Sequence, residues 1–194
     1  SAFDPEMGSF ARMMYEKGWI DGKESSNRTT GAYCTSLPKV KEPRVFITYK
    51  GSMDNIVTLA HELGHAYHNW VMRDLPFLDH HYSMTLAETA SIFAETLFRD
   101  YFLQKSKNRQ ERLKIVWVDA DSATAMLNNI PARYEFERNF VESRKEQFVP
   151  APKLRQMMKE AWGKWYEDSL SSYDEMFWAS KGHFSISGLG FYNY

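Results

Sequence analysis

The sequence has only one cysteine and no long apolar run, and each absence excludes a class of protein. Cys34 has no second thiol in the chain with which to pair, so an intramolecular disulfide framework is excluded and a reducing, cytoplasmic location is expected. No apolar run approaches the ~20 residues that span a bilayer. The first residues also lack the charged-then-apolar pattern of a secretory signal. We therefore expect no membrane partner.

An excess of charge of either sign is also missing. Twenty-four Lys and Arg residues stand against 25 Asp and Glu residues, for a formal charge of −1, so the composition indicates no nucleic-acid partner. Glycine and proline number only 10 and 7, which excludes a fibrous or low-complexity chain. Hydrophobic residues make up 43% of the 194 residues, a composition typical of a globular protein with a sizeable core.

The pattern of apolar residues predicts a small β element followed by helices. A short helix is expected over 5–18, and two strand-like runs, 31–37 and 44–49, are separated by a polar turn that favours a hairpin. The remainder has helical periodicity, with Asp54 as the expected N-cap of its first helix. The predicted helices cover 54–73, 83–103, 108–129, 132–148, 151–169 and 173–179. No internal repeat or long linker interrupts the chain, so we expect one mainly α domain over 1–194.

The most specific motif is His61-Glu62-Leu63-Gly64-His65. The two histidines are four residues apart, so on a helix they lie on one face and can share one Zn²⁺. Glu62 lies about 100° around the helix, where its carboxylate can accept a proton from a metal-activated water. Gly64 permits close packing of a neighbouring element. The motif therefore predicts a catalytic zinc site rather than two surface histidines.

A catalytic zinc site needs a third protein ligand, for which the pattern leaves two candidates. His68 shares the helical face, but its Cα lies about 10 Å from that of His61 along a straight helix, so three ligands from one helix converge poorly. Glu88 lies on the next predicted helix, which could present a carboxylate from the other side. Glu95, seven residues further on, shares the face of Glu88, and both could instead be exposed helix acids.

Several segments together resemble the oligoendopeptidase F branch of the thimet oligopeptidase family of zinc metallopeptidases. The segments are 61–68 and 84–95, with 31–36, 133–137, 177–183 and 191–194. The resemblance implies a zincin-like catalytic domain in which His61, His65 and Glu88 hold one zinc ion and Glu62 is the general base. Glu95, or His68, is then expected to support a ligand by hydrogen bonding.

The glycine-rich C-terminal segment carries hydrogen-bond donors that could stabilise an oxyanion. The resemblance assigns that role to a histidine, which matches His183, and to a tyrosine, for which we take Tyr192. The family also has a large helical region that precedes the part matched here, and the chain begins with Ser1-Ala2 rather than Met. We therefore expect a piece of a longer helical oligopeptidase, with self-association or docking onto that helical region.

These observations predict a zinc-dependent endopeptidase that acts on short peptides. We expect the strand over 44–49, and within it Val45, Phe46 and Ile47, to be the edge to which an extended peptide adds by main-chain hydrogen bonds. The competing hypothesis is a catalytically inert helical interaction module, or an inactive fragment, with a vestigial zinc site. It is favoured if the chain binds no zinc, or binds zinc and cleaves no peptide.

Overall fold

The computed structural model describes residues 3–24, 27–28 and 30–185. The chain divides into two compact units, 1–116 and 117–194, and each is described by itself below. The expectation of a single catalytic domain stays a prediction. Within the described part of the chain, no helix is both long enough and apolar enough to cross a membrane.

The first unit begins with a helix and a three-stranded sheet. Helix α1 (Pro5–Glu16) is capped by Asp4, whose carboxylate accepts the backbone N–H groups of Glu6 and Met7. The strands are β1 (Ile20–Asp21), β2 (Ala32–Leu37) and β3 (Glu42–Ile47). Strands β2 and β3 pair antiparallel, as the predicted hairpin requires, and β1 pairs parallel with β3.

The order of the sheet is β1-β3-β2, so the predicted edge strand is in fact the middle one. Val45 pairs with Ile20 on one side and with Cys34 on the other, and Phe46 is likewise paired on both sides. The expectation that Val45, Phe46 and Ile47 form a free edge is therefore wrong. The physical reason is the two-residue β1, which is too short to leave a periodic signal in the sequence.

Two long helices follow the sheet. Helix α2 (Met53–Met72) is capped by Ser52, whose Oγ accepts the backbone N–H of Asn55; Asp54, the predicted cap, lies inside the first turn. A 3₁₀ turn (Phe77–His80) leads to α3 (Met84–Lys105). The core of this unit joins α1, β3 and α2 through Phe10, Met14, Trp19, Val45 and Ala66.

Helix α4 (Arg109–Thr124) runs across the boundary between the two units. A π-helical turn (Ala125–Asn129) connects it to α5 (Ile130–Glu146). The wider turn stands just before Pro131, which has no N–H to donate to the helical ladder. Helix α6 (Ala151–Tyr166) packs on α5 around Phe136, Met158 and Trp162. The predicted helix over 173–179 is replaced by two 3₁₀ turns, Phe177–Ser180 and Gly182–Ser185.

The mainly α architecture with a small sheet before the motif-bearing helix confirms the predicted fold class. Helix α2 carries the His-Glu-Leu-Gly-His motif, and α3 carries the two glutamates that the sequence singled out. The motif and both glutamates therefore lie in the first unit.

Candidate metal centre

The centre is built where α2 crosses α3, and Gly64 sets the distance between the two helices. A Cβ atom at Gly64 would lie 2.5 Å from the carbonyl oxygen of Ala90 and 2.7 Å from the Cα of Ser91. Both are backbone atoms, which cannot rotate away as a flexible side chain can. The glycine within the motif thus lets the backbone of α3 approach the motif face of α2 closely.

Three donor atoms converge at this crossing. The Nε2 atoms of His61 and His65 lie 3.1 and 3.3 Å from Oε2 of Glu88. One donor atom from each residue lies within 4.8 Å of the others, and this is the one group of three or more candidate metal ligands among the described residues. Two imidazole nitrogens and one carboxylate oxygen suit zinc, which accepts both types of donor in four-coordinate sites. The donor set therefore fits the expected ion.

Glu95 lies behind the centre, in contact with His61. Its Oε1 is 2.5 Å from Nδ1 of His61, and its Oε2 accepts a hydrogen bond of 2.9 Å from Nη1 of Arg99. Since a carboxylate accepts and does not donate, Nδ1 of His61 is the donor to Glu95, and in the neutral ring Nε2 is then the nitrogen that can ligate a metal. Glu95 thus contacts a candidate ligand, and its supporting role stays a prediction.

Burial and charge act differently on the two motif histidines. Burial lowers the pKa of His61, but the hydrogen bond that its ring donates to Glu95 and the charge of Glu88 outweigh burial and raise the pKa above its ordinary value. For His65, burial prevails and lowers the pKa. A lowered pKa keeps the His65 imidazole neutral, the form that can ligate a metal.

Glu62, the predicted general base, is only 6% exposed. Burial is the largest influence and raises the pKa of its carboxyl. The charge of nearby His61 acts in the opposite direction, because it stabilises the carboxylate anion. A hydrogen bond from the backbone of Cys34 on β2 also favours the anion. A carboxylate with a raised pKa is a better proton acceptor at neutral pH than an ordinary glutamate.

Sequence reasoning missed Ser91 on α3. Its Oγ lies 2.7 Å from Oε2 of Glu88 and 2.9 Å from the Glu88 carbonyl oxygen, and the residue is fully buried. The hydroxyl therefore fixes the rotamer of the candidate ligand. The sequence did contain a signal for this contact. Ser91 follows Glu88 by three residues, so the two share a helical face, and its neighbours are the apolar residues Ala, Ile and Phe.

His68, the alternate ligand candidate, lies outside the group of three. Its ring packs on the ring of Tyr82 with centroids 4.6 Å apart, and its buried Nδ1 has no hydrogen-bond partner among the described residues. A supporting role of His68 stays a prediction. Its ligand role receives no support from the geometry.

His183 lies in the second unit, where it is held by α5. Its Nε2 is 3.2 Å from Oε2 of Glu137, and both side chains are nearly buried, at 9% and 3% exposure. Tyr192, the other predicted oxyanion donor, lies outside the described residues. The roles of both residues stay predictions.

Strand β2 supplies an open sheet edge beside the centre. The sequence analysis had expected this edge at β3. The N–H of Thr48 donates to the carbonyl of Gly31 at 2.9 Å. Because antiparallel pairing alternates, the backbone groups of Ala32, Cys34 and Ser36 are turned away from β3. Among the described residues β2 pairs on one side only, so these groups are the candidates for pairing with a peptide, except the N–H of Cys34, which donates to Glu62.

The sequence was compared with known protein families and with individual proteins. A family model described as Peptidase family M3 matches residues 4–121. The chain is 26% identical over 187 residues to the chromosomal oligoendopeptidase F of Lactococcus lactis subsp. cremoris, covering 94% of this chain and 31% of that protein. It is 30% identical over 112 residues to oligopeptidase PepF of Bacillus subtilis, covering 57% of this chain and 17% of that protein.

A solved structure shares the fold. The chain superposes with a TM-score of 0.76 on a 3.1 Å X-ray structure provisionally named oligoendopeptidase F, at 22% identity. The match covers 97% of this chain and 34% of that one. The chain thus spans about a third or less of the length of the relatives that it matches.

Proposed function

The chain belongs to peptidase family M3, and from this membership we propose that it is the catalytic part of a zinc-dependent peptidase that hydrolyses short peptides. The carrying observation is the convergence of His61, His65 and Glu88 within 4.8 Å, beside a buried glutamate on the same helix. The names of the relatives, oligoendopeptidase and oligopeptidase, support oligopeptides as the substrate class.

The proposed chemistry assigns separate tasks to these residues. Zinc held by His61, His65 and Glu88 would supply Lewis-acid polarisation of the scissile carbonyl and a water of lowered pKa. Glu62 accepts the proton of the attacking water and passes it to the leaving amine as the peptide bond breaks. Its raised pKa suits both transfers, because the group must be a base first and an acid afterwards.

Supporting residues hold these groups in position. Glu95 accepts a hydrogen bond from Nδ1 of His61, and the hydroxyl of Ser91 holds the Glu88 carboxylate in place. Because both side chains are already held, neither ligand has to reorganise when a metal binds. The β2 edge would align the peptide backbone through Ala32, Ser36 and the carbonyl of Cys34.

The second unit carries the proposed oxyanion donors. In the proposed reaction His183, oriented by Glu137, and Tyr192 would donate hydrogen bonds to the developing oxyanion.

We also propose that zinc binding and efficient hydrolysis have different requirements. All three ligands come from α2 and α3, so the chain should bind zinc by itself. The matched part is 31% of one relative and 17% of the other, and water exclusion with a complete channel requires more surface. We expect weak peptidase activity from the chain alone. That activity should rise when the remaining region of such a protein is supplied, by docking or by fusion.

The test combines metal analysis with a quenched-fluorescent peptide assay. The parent chain should hold about one zinc per chain and cleave peptides, with hydrolysis lost on chelation. Glu62→Gln should retain zinc and lose at least ~10²-fold in rate, because the amide cannot accept a proton. Glu16→Gln, an exposed position on α1, is the matched control. Equal rates for Glu62→Gln and the parent at equal zinc content would refute the assignment, and zinc binding without any cleavage would favour the inert-module hypothesis.

A further inference from the structure

A cavity of about 420 Å³ lies at the end of β2, outside the metal centre. Ser36 and Pro38 line it from the strand side, Asn69 lines it from α2, and aromatic and imidazole rings line it from the 77–82 connection. None of the lining residues is Lys, Arg, Asp or Glu. The walls are therefore aromatic and imidazole rings with the hydroxyl of Ser36 and the amide of Asn69.

The connection that forms the far wall is held in place by its own contacts. Nε2 of His80 lies 3.1 Å from the carbonyl oxygen of Leu75. The rings of Phe77 and His81 meet edge to face, with centroids 5.6 Å apart. Tyr82 packs against His68 on α2. The cavity is thus formed before any ligand enters, which keeps the entropic cost of binding low.

The cavity is continuous with the proposed peptide-binding edge. Cys34, whose backbone hydrogen-bonds the carboxylate of Glu62, precedes Ser36 by two residues, or about 6.6 Å along a strand. Asn69 donates through Nδ2 to the carbonyl oxygen of His65 at 3.0 Å, so one wall belongs to the helix that carries the ligands. A peptide paired with β2 would pass the cavity about two residues from the proton-accepting carboxylate.

We infer that this cavity is a side-chain subsite that selects a bulky aromatic residue of the peptide, about two residues from the scissile bond. The inference rests on the proposed function. Phe77 is 64% exposed, and a ring that enters the cavity would cover it and gain edge-to-face contacts. A charged substrate side chain would lose hydration there without an opposite charge to compensate. The preference is therefore for aromatic over small or charged residues.

The experiment measures peptide binding without turnover. Fluorescein-labelled hexapeptides that carry Phe or Gly at one position, scanned along the peptide, are titrated against the zinc-loaded Glu62→Gln chain at pH 8, and Kd is read by fluorescence anisotropy. At one position Phe should bind about tenfold more tightly than Gly. Phe77→Ala, added to this chain, should reduce that ratio to about twofold or less. Tyr15→Ala, which removes another exposed ring on α1, should leave the ratio unchanged.

Three outcomes would overturn the subsite: no position with a Phe preference, no measurable binding of any peptide, or a preference that survives Phe77→Ala. The proposed function is tested separately, by zinc-dependent hydrolysis in the parent chain. Hydrolysis without a Phe77-dependent preference would reject the subsite alone. A Phe77-dependent preference in a chain that hydrolyses nothing would retain the binding site and reject the catalytic proposal.

Discussion

Nδ1 of His61 lies 2.5 Å from Oε1 of Glu95, across the crossing of α2 and α3. The second oxygen of this carboxylate is bound by Arg99, which is 8% exposed. The contact fixes which ring nitrogen carries the proton and leaves the other free to ligate a metal. Glu95 therefore orients a candidate ligand without contributing to the group of three.

Removing Glu95 should weaken metal binding without abolishing it. Glu95→Ala leaves all three candidate ligands in place but frees the His61 ring to rotate and removes the acceptor that makes it more basic. We expect zinc affinity to fall by about 10–100-fold, measured by competition with a chelating dye. Asp100→Ala, an exposed position on the same helix, should bind zinc like the parent. Unchanged affinity in Glu95→Ala would contradict the orienting role.

The two candidates for the third ligand can be separated directly. Glu88→Ala removes a donor atom from the centre and should lower zinc affinity by more than ~10²-fold, whereas His68→Ala removes a packing contact with Tyr82 and should cost about tenfold or less. Zinc stoichiometry after dialysis and dye competition provide the measurement. Loss of zinc from His68→Ala but not from Glu88→Ala would show that the ligand set is wrong.

The sequence predicted the long helices and the motif because both depend on local pattern. His61 and His65 share a helical face at any orientation of the rest of the chain. Two details depended on contacts distant in sequence and were not predicted. The position of β3 between two strands required β1, which is only two residues long, and the hydroxyl contact of Ser91 required the rotamer of Glu88.

The choice of cap shows a different limit. Ser52 and Asp54 are both good N-cap residues and lie two positions apart, so propensity could not distinguish them. The backbone decides, because Ser52 adopts the extended conformation before α2 begins at Met53. The preceding Gly51 has a positive φ of 78°, a conformation that favours glycine and redirects the chain at that point.

A side chain at Gly64 should be poorly tolerated. In Gly64→Ala the new methyl group would meet backbone atoms of α3 at 2.5 and 2.7 Å, so the two helices must separate. We expect a loss of ~1–3 kcal/mol in the free energy of unfolding, or more, together with weaker zinc binding. Gly163→Ala is the control, because its new methyl group would lie 3.6 Å from the ring of Tyr173, an ordinary contact. Urea unfolding and zinc titration of both variants test this, and equal behaviour of the two would contradict the close-crossing argument.

The buried carboxylate of Glu62 should lower the free energy of unfolding of the metal-free protein, and the size of this effect should depend on pH. Burial raises the pKa of Glu62, so ionisation is less favourable in the folded chain than in the unfolded one. A raised pKa contributes stability below the unfolded value of about 4.3, and that contribution is lost as the pH rises through the folded pKa. Gln has no proton to lose. Glu62→Gln should therefore match the parent near pH 4 and exceed it by about 1 kcal/mol at neutral pH.

Urea unfolding of both proteins in EDTA, between about pH 4 and pH 8, measures this difference. Glu16→Gln should follow the parent at every pH, because Glu16 is exposed. A gap that is constant with pH would indicate a packing effect of the amide, and a parent more stable than Glu62→Gln at neutral pH would contradict the assigned direction. The expected result would show that the chain retains at its centre a carboxylate that destabilises the metal-free fold. Glutamine would fill the same space, so that result would support the proposed proton transfer by Glu62.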